Sequence, residues 1–382
     1  MDHAADFPIG PECRSVERMP VDLLILNYNG RDLLAECLPS VIRAADCSSY
    51  RCRVGVIDNA SNDGSDRWLA AHYPQVELIR CPNRGLCSYN EVLAEREVAV
   101  AVLLNNDVKL RCDAVDPLIR PLLPGGRGSS SRLLMTAPLC WRFDGCTYEG
   151  LLTSARWSYG LVQATARFEG HEQVAKRSGP TASAGAVLAV DRMKFLELGG
   201  FDPLFLPGRL EDLDLAFRGY LHGYTALYVP DSVAYHGGEL TFRREFGPAG
   251  SRQLALRNTL LWQWKNVRHP LHVAREVSGL TVRLVVDIFR APRMPIGERF
   301  ALAKAIRAAL KRWRSIGGPA TRASRTSRAA HWHRERAFFR RFHPRTMRER
   351  VCQAAAAGRE PSAAMRVEPA GDLALRAGGP VG

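Results

Sequence analysis

The sequence VDLLILNYNG at residues 21–30 places a short apolar run directly before a polar turn. A run of this length is typical of a strand that is buried on both faces of a parallel sheet. The Asn and Gly residues that follow favour a turn, which ends the strand. Apolar side chains then recur at helical spacing from Leu33 to Ile42, so the segment from Arg31 to Ala45 is predicted to be an α-helix.

The strand–turn–helix unit recurs further along the chain. Strands are predicted at residues 53–57, 76–80, 98–104, 182–190 and 225–229, and helices at residues 65–72, 89–96, 192–198, 211–222 and 254–267. The last strand is expected to stop at Pro230. Alternation of this kind predicts an α/β fold, with a mostly parallel sheet that carries helices on both faces.

Composition divides the chain into four parts. We expect a flexible leader at residues 1–20, a main α/β domain at residues 21–266, a basic helical extension at residues 267–350 and a disordered tail at residues 351–382. The net charge of +14 is concentrated in one stretch, since residues 302–350 contain 15 Lys and Arg against 2 Glu.

The basic stretch contains clusters such as Lys311-Arg312-Trp313-Arg314. Basic helices with interleaved aromatic residues suit an anionic membrane surface. A solvated basic extension without a partner is an equally good interpretation, and nucleic acid is less favoured. The sequence therefore leaves the partner of residues 302–350 open.

Localisation is predicted from features that the sequence lacks. No stretch reaches the ~18 apolar residues of a membrane span, and the N-terminus has no apolar signal core. The ten cysteines form no C-x-x-C pair, which favours reduced thiols. We therefore expect a cytoplasmic protein, in contact with the inner face of the cell membrane if the basic stretch binds lipid.

Polar side chains stand at the ends of four predicted strands: Asn27, Asp58, Asn83 and the turn Asn105-Asn106-Asp107. Such residues are also common in turns for structural reasons alone. Parallel strands, however, bring their carboxyl ends to one edge of the sheet, where ligands bind. Asp58 suits hydrogen bonding to a base or a ribose, because a carboxylate accepts from amide and hydroxyl donors.

A carboxylate in the turn that ends with Asp107 could hold a hard cation. The sequence contains neither G-x-G-x-x-G nor a P-loop to bind phosphates. A divalent metal would take over that role by neutralising a diphosphate.

A second group of candidate residues lies towards the C-terminal side of the main domain. It comprises the sequence GGFD at residues 199–202, the sequence EDLD at residues 211–214, and His236. Acids in the first turn of a helix are favoured by its dipole, so Glu211 and Asp212 could serve only as helix-capping residues. A single histidine is likewise more often structural than a ligand.

The ordered motifs LNYNG, VIDNASNDGS, PNRGLCSYN, LLNNDV, GGFDPLF, EDLDLAFR and VPDSVAYHGG resemble the family 2 glycosyltransferases of the GT-A fold, in the rhamnosyltransferase-like branch. The resemblance covers residues 21–266. It implies a nucleotide-donor half at residues 21–110 and an acceptor half, which carries the catalytic residues, at residues 180–266. It also implies an inverting enzyme that uses Mg²⁺ or Mn²⁺ and acts in the synthesis of cell-surface polysaccharide.

By position in these motifs, the resemblance also implies roles for individual residues. Asp212 corresponds to the catalytic base, with Glu211 beside it on the acceptor side. Asp107 and His236 correspond to metal ligands. The donor-binding residues are Asn27, Asp58, Asn83, Asn90 and Asn106. In the third motif, the bulky Tyr89 and the acidic Glu91 flank Asn90 where small residues are usual, which leaves the donor sugar open.

The expected function is thus transfer of a sugar from a nucleotide-diphosphate donor to a hydroxyl acceptor, either a glycan or a lipid-linked glycan. A different class of function, a catalytically silent nucleotide-binding scaffold at a membrane surface, would also use such a sheet. The joint presence of Asp58, Asp107, Asp212 and His236 disfavours it. A nucleotidyltransferase is disfavoured because residues 27–32 (NYNGRD) supply no Gly-rich basic loop.

Overall fold

The structure is a computed structural model that describes residues 20–124, 130–238, 240–293, 299–318 and 327–349. The leader expected at residues 1–20, apart from Pro20, lies outside these ranges. So does the tail expected at residues 351–382.

Ten of the described strands form one sheet: β1 Val21–Asn27, β2 Cys52–Asp58, β3 Glu77–Arg80, β4 Val100–Asn105, β5 Val108–Leu110, β6 Leu133–Arg142, β7 Tyr148–Gly150, β10 Gly179–Pro180, β11 Val187–Asp191 and β12 Thr225–His236. The remaining two, β8 Ser154–Ser158 and β9 Leu161–Thr165, form a hairpin.

The described α-helices are α1 Arg31–Asp46, α2 Ser65–His72, α3 Ser88–Ala94, α4 Val115–Ile119, α5 His171–Val174, α6 Arg192–Glu197, α7 Glu211–His222, α8 Leu240–Asn266, α9 Pro270–Arg290, α10 Ala301–Ser315 and α11 Arg328–Arg341. Helix α8 is interrupted at Gly247, whose φ of 63° and ψ of 172° are not helical. Pro248 follows this break, at a position where its missing N–H does not cost a helical hydrogen bond.

The main path of the sheet runs β10–β12–β6–β11–β4–β1–β2–β3. Strands β1 to β4 are mutually parallel, β11 is antiparallel to both β4 and β6, and β12 is parallel to β6. The predicted α/β fold with a mostly parallel sheet is confirmed. The buried aliphatic run of β4 at the sheet centre explains why its sequence shows no polar alternation.

Strand β12 extends past Pro230, where the sequence predicted that it would stop, and ends at His236. Its pairing with β6 shifts register between Val229 and Val233, so Pro230 lies in an irregular stretch where a missing N–H breaks no ladder. This correction matters for the site, because the extension carries His236 to the sheet edge.

The strand predicted at residues 182–190 begins only at Val187. The preceding residues 182–185 are not part of the strand, and two of their backbone amides donate to acceptors outside the sheet. The amide of Ala182 donates to the carbonyl of Thr153, and the amide of Gly185 donates to the carboxylate of Asp212. These bonds turn residues 182–185 into a loop beside the start of α7.

Two large cores stabilise the molecule. The first surrounds the sheet and includes the buried side chains of β1 and β4. The second joins the hairpin to α7, α8, α10 and α11, with Trp262, Phe217 and Phe338 at its centre. Helices α10 and α11 therefore pack on the same core as the helix that begins with Glu211.

Candidate active site

A cavity of about 1010 Å³ opens at the carboxyl ends of β1 and β4. Its size suits a small-molecule ligand or cofactor. Its polar lining includes Tyr28, Asn59, Asn83, Asn105, Asn106, Asp107, Glu149, Gln163, Arg209, Glu211, Asp212 and His236. The cavity thus brings together six residues that the sequence predicted in two separate groups: Asn83, Asn106, Asp107, Glu211, Asp212 and His236.

Asp107 and His236 are neighbours because β5 pairs with β12. Val108 is the register partner of His236, and the amide of Gly237 donates to the carbonyl of Asp107 over 2.9 Å. The imidazole Nε2 of His236 lies 3.3 Å from Oδ1 of Asp107. Both side chains are almost fully buried.

The Nε2 atom of His236 is buried without a hydrogen-bond partner in the described part of the chain. Two ligand atoms that each lie ~2.1 Å from one metal ion are about 3 Å apart, which matches the spacing between this nitrogen and the Asp107 carboxylate. Burial alone lowers the pKa of His236, but the Asp107 and Glu149 carboxylates outweigh burial and raise this pKa to about 9. A metal ion between Nε2 and Asp107 would need the neutral imidazole of His236. Binding of the metal would therefore release a proton from this ring.

The second nitrogen of His236 faces Glu149, which the sequence analysis missed. Nδ1 lies 3.5 Å from Oε1 of Glu149, while the other carboxylate oxygen accepts from Arg142 Nε over 2.8 Å and from Arg167 Nη2 over 2.9 Å. A carboxylate behind a histidine orients the ring and leaves the far nitrogen to a metal. Among the described residues, no cluster of three or more His, Cys, Asp and Glu forms a complete metal site.

Asp212 lies in the first turn of α7 and lines the same cavity as Asp107. Its Oδ2 accepts a very short hydrogen bond from the Ser183 hydroxyl and one of 2.8 Å from the Gly185 amide. These two donors come from the loop that replaces the first half of the predicted strand. They fix the orientation of the carboxylate within the cavity.

Glu211 also lines this cavity, and its Oε2 is buried without a hydrogen-bond partner in the described chain. Burial, together with the neighbouring charge of Asp212, raises the pKa of Glu211 to about 8. Close to neutral pH, Glu211 therefore retains its proton in a large fraction of molecules.

The backbone before α7 is strained. Arg209 and Leu210 have φ values of 88° and 67°, in the left-handed region that disfavours residues other than glycine. Surrounding contacts hold this segment: the carbonyls of Gly208 and Arg209 accept from the Asn258 amide group. Strain of this kind clusters at functional sites, and here it immediately precedes Glu211.

Asp202 and Asp214, the remaining acids of the second group of candidate residues, have a structural role. Asp202 and Asp214 are fully buried, and both accept from Nζ of Lys265, over 2.7 and 2.9 Å. Arg218 donates to Asp214 and also to the carbonyls of Leu198 and Gly200. This buried ion cluster joins the GGFD loop, α7 and α8, and so holds the wall that carries Asp212.

Three predicted donor-binding residues do not line the cavity. Asn27 is fully buried, and its amide nitrogen is within hydrogen-bonding distance of Asp58 Oδ1 and of the Ser65 hydroxyl, at 3.2 and 3.0 Å, while its oxygen accepts from Asn106. Asp58 is 5% exposed and accepts from Asn27 and from the amide of Ser61. Both residues therefore support the turns that follow β1 and β2.

Asn90 is the third of these residues. Its side chain exchanges two hydrogen bonds of 2.9 Å with the backbone of Phe201, so it joins α3 to the GGFD loop. A Cβ at Gly200 would lie 2.2 Å from Asn90 Oδ1, which explains the glycine there. By contrast, Asn83 lines the cavity, and its Oδ1 accepts from the Gly85 amide.

Comparison with known proteins supports the predicted resemblance. Residues 22–125 match the family described as Glycosyl transferase family 2, which confirms the resemblance over the segment from β1 to just beyond α4. That segment contains Asn27, Asp58, Asn83 and Asp107. The family match is thus confined to the N-terminal part of the sheet.

Three individual proteins are similar over longer stretches. A Drosophila melanogaster protein provisionally named polypeptide N-acetylgalactosaminyltransferase 10 is 21% identical over 256 residues, which are 63% of this chain and 39% of the relative. The chain thus spans about two fifths of that relative's length. The solved structure of GalNAc-T7 with UDP, GalNAc and Mn²⁺ has a TM-score of 0.48 at 19% identity, over 78% of this chain and 56% of that one. The mannosyltransferase PcManGT from Pyrobaculum calidifontis, in complex with GDP-Man and Mn²⁺, has a TM-score of 0.43 at 18% identity, over 89% and 86%.

Among the described residues, no helix is both long and apolar enough to span a bilayer.

Proposed function

We propose that the protein is a glycosyltransferase that moves a sugar from a nucleotide-diphosphate donor to a hydroxyl acceptor. The single observation that carries the proposal is that Asp107 and Asp212 line the same cavity. The first lies within the family 2 segment, where a donor diphosphate would bind. The second is a carboxylate held in orientation by Ser183 and Gly185, as a base that acts on an acceptor hydroxyl would need to be.

In the proposed reaction, Asp212 accepts the proton of the acceptor hydroxyl as that oxygen attacks the anomeric carbon. The new carbon–oxygen bond forms while the bond between the anomeric carbon and the donor phosphate breaks. The electron pair of the broken bond leaves with the nucleoside diphosphate. Attack from the face opposite the diphosphate inverts the anomeric configuration, so the proposal is an inverting, single displacement.

A divalent cation, Mg²⁺ or Mn²⁺, is part of the proposal. Asp107 and His236 would hold it, since their spacing and the orphaned Nε2 of His236 fit one shared ion. When bound, the ion would neutralise charge on the departing diphosphate. Glu149 would keep the Nδ1 proton of His236 in place and so leave Nε2 available to the metal.

Glu211 would act on the acceptor side of the cavity. Its raised pKa lets it donate a hydrogen bond to an acceptor oxygen at neutral pH, where an ionised carboxylate could only accept one. Asn83 and Asn106 would contact the donor directly, because both line the cavity. Asn27, Asp58 and Asn90 would contribute by holding the turns that shape the donor site.

The acceptor in this proposal is a glycan or a lipid-linked glycan of the cell surface, and rhamnose is one candidate sugar. The proposal also includes a cytoplasmic location and contact with an anionic membrane through residues 302–350. The proposal keeps residues 21–110 for the donor and residues 180–266 for the acceptor, and residues of both ranges line the cavity.

The proposal is tested by binding first and turnover second. Thermal shift with UDP, GDP and dTDP, each with and without Mn²⁺, should show stabilisation by one nucleotide that depends on the metal. The preferred nucleotide then selects among UDP-GalNAc, GDP-mannose and dTDP-rhamnose for assays of donor hydrolysis. Metal-dependent binding without hydrolysis or transfer would instead support the silent scaffold, and absence of any nucleotide binding would refute both.

A further inference from the structure

Helix α9 presents a row of large apolar side chains to solvent. Ile288 is 61% exposed and Phe289 is 73% exposed, close to the C-terminal end of the helix. We call the exposed side chains the apolar row: Leu271, Val277, Val282, Val285, Ile288 and Phe289. Their exposure is unusual, because a continuous apolar strip on a surface helix generally contacts a partner.

The opposite side of α9 is fixed to the rest of the molecule. His272 and Glu276 are buried, and Leu280 and Leu284 pack against the second core. This side of the helix therefore lies on the protein, and the apolar row lies on the side that the described residues leave exposed.

A groove of about 810 Å³ borders this helix, between α9 and α10. Leu284, Ile306 and Leu310 line it together with the cations Arg307, Lys311 and Arg314. None of these three cations forms an ion pair with another described residue. Helix α10 contains no Asp or Glu, so the groove combines an apolar floor with positive charge on one side.

We propose that α9 and α10 together form a binding surface for an anionic lipid bilayer. The apolar row would enter the interface between headgroups and acyl chains, as amphipathic helices do when they lie in the membrane plane. Arg307, Lys311 and Arg314 would contact lipid phosphates, and the groove between the helices could take part of an acyl chain. Charge complementarity favours an anionic surface over a neutral one.

The observations favour lipid over other partners with negative charge. Most exposed side chains of the row are aliphatic, which suits acyl chains better than the stacking of nucleic acid bases. The aromatic residues Phe338 and Phe339 of α11 are buried in the second core and cannot contact a membrane. Within the basic stretch at residues 302–350, the proposed surface therefore uses the exposed face of α10, and α9 extends it beyond that stretch.

The hairpin β8–β9 connects this surface to the cavity. Tyr159, at its tip, is 77% exposed, and its carbonyl accepts from Arg283 of α9 over 2.6 Å. Gly160 and Gly279 touch so closely that a Cβ on Gly160 would lie 2.7 Å from the Gly279 carbonyl carbon. From this contact, β9 leads to Gln163 and Thr165 in the cavity wall, a path of roughly 17 Å for five extended residues. The helix α9 and one short strand would thus separate a bound membrane from the cavity.

The test is vesicle flotation of the full chain. Vesicles of phosphatidylcholine alone are compared with vesicles that also contain phosphatidylglycerol, at low and at high salt. The wild-type chain should float with the anionic vesicles, and high salt should weaken its binding. The double variant Ile288→Asp/Phe289→Asp and the double variant Arg307→Glu/Lys311→Glu should each lower vesicle affinity about tenfold or more.

Two controls carry single changes of the same kind elsewhere. Met193→Asp replaces an apolar residue of α6 that is 65% exposed, and Lys176→Glu reverses an exposed charge outside the groove. Both controls should float like the wild-type chain. Thermal unfolding and Mn²⁺-dependent nucleotide binding of every variant are measured in parallel. They separate loss of lipid binding from misfolding and from failure of the proposed transferase function, on which this inference does not depend.

Several results would overturn the proposal. They are equal binding to neutral and anionic vesicles, no binding to either, or flotation of the α9 and α10 variants at the wild-type level. A dimer that forms without lipid and is lost in the α9 variant would assign the apolar row to a second copy of the chain. Binding of a single-stranded oligonucleotide in place of vesicles would assign the cations to nucleic acid.

Discussion

Nδ1 of the His236 imidazole lies 3.5 Å from Oε1 of Glu149, while Nε2 of the same ring lies 3.3 Å from Oδ1 of Asp107. The imidazole of His236 thus lies between two carboxylates, those of Asp107 and Glu149. The second carboxylate is held by two arginines, so it cannot easily turn towards the metal position itself. In the proposed site, Asp107 would therefore bind the metal, and Glu149 would orient the ring of His236.

The first prediction concerns Glu149. Replacement by Ala should weaken Mn²⁺ binding about 10- to 100-fold, because His236 loses the acceptor that fixes its Nδ1 proton and its ring orientation. Glu149→Gln should weaken binding less, since the amide oxygen can still accept that hydrogen bond. Isothermal titration with Mn²⁺ in the absence of donor measures the effect directly.

The matched control for this prediction is Glu169→Ala, at a glutamate that is 88% exposed and also paired with an arginine. Its Mn²⁺ affinity should equal that of the wild-type chain. If Glu149→Ala bound Mn²⁺ as tightly as the wild-type chain, Glu149 would have no part in the metal site.

The second prediction concerns Asp212. Asp212→Asn should lower the turnover number by about 10²- to 10⁴-fold, because the amide cannot accept the proton of the acceptor hydroxyl. The amide oxygen can still accept from Ser183 and Gly185, so the shape of the cavity and nucleotide affinity should be preserved. Transfer kinetics and nucleotide titration, run on the same preparation, check the two halves of this statement.

Asp32→Asn is the control for that variant, since the Asp32 side chain is 96% exposed on α1. It should transfer sugar at the wild-type rate. Should Asp212→Asn retain full turnover while Glu211→Gln loses it, the role of base would pass to Glu211.

The third prediction is a pH dependence of stability that originates at Glu211. Its pKa is raised by burial to about 8, whereas in the unfolded chain it should titrate at about 4.3. Between these values the unfolded chain releases the proton and the folded chain keeps it, so stability falls as pH rises. Glu211→Gln removes this loss and should raise Tm by about 2–4 °C at pH 8.

The informative measurement for this prediction is the difference in Tm between Glu211→Gln and the wild-type chain, without metal or nucleotide. That difference should be near zero at about pH 4 and should grow towards about pH 8. A difference that does not vary with pH would mean that the effect comes from packing and not from titration.

How far the sequence predicted this site depends on how local each signal is. Asp107 became a candidate because a polar turn directly follows an apolar strand, whereas Asp212 became one only because its motif EDLDLAFR resembles that of the family 2 glycosyltransferases. Glu149 lies in the three-residue strand β7, which has no pattern of its own, and it meets His236 only through the pairing of β6 with both β7 and β12. Contacts of this kind depend on the folded sheet and leave no spacing in the sequence.

The predicted donor-binding residues also show that the sequence pattern does not determine which side chains reach the cavity. Asn27 and Asn83 follow predicted strands in the same way, yet only Asn83 lines the cavity. Asn27 is instead surrounded by Asp58, Ser65 and Asn106, which come from three other parts of the chain. The strand-end pattern therefore predicted which edge of the sheet carries the cavity. It could not distinguish side chains that line the cavity from side chains that support the surrounding turns.

The last prediction concerns the buried ion cluster behind α7. Lys265→Met should destabilise the fold by about 3 kcal/mol or more, because Asp202 and Asp214 would lose the ammonium that compensates both of them away from water. Arg218 would still pair with Asp214, so Asp202 is left with the larger deficit. Chemical denaturation measures the change, with Lys176→Met as an exposed control that should behave like the wild-type chain. Because the cluster supports the loop that carries Phe201 and the helix that carries Asp212, turnover of Lys265→Met should fall even at temperatures where the chain is folded. Unchanged stability in this variant would show that the two aspartates are accommodated without the lysine, and that the wall of the active site does not depend on it.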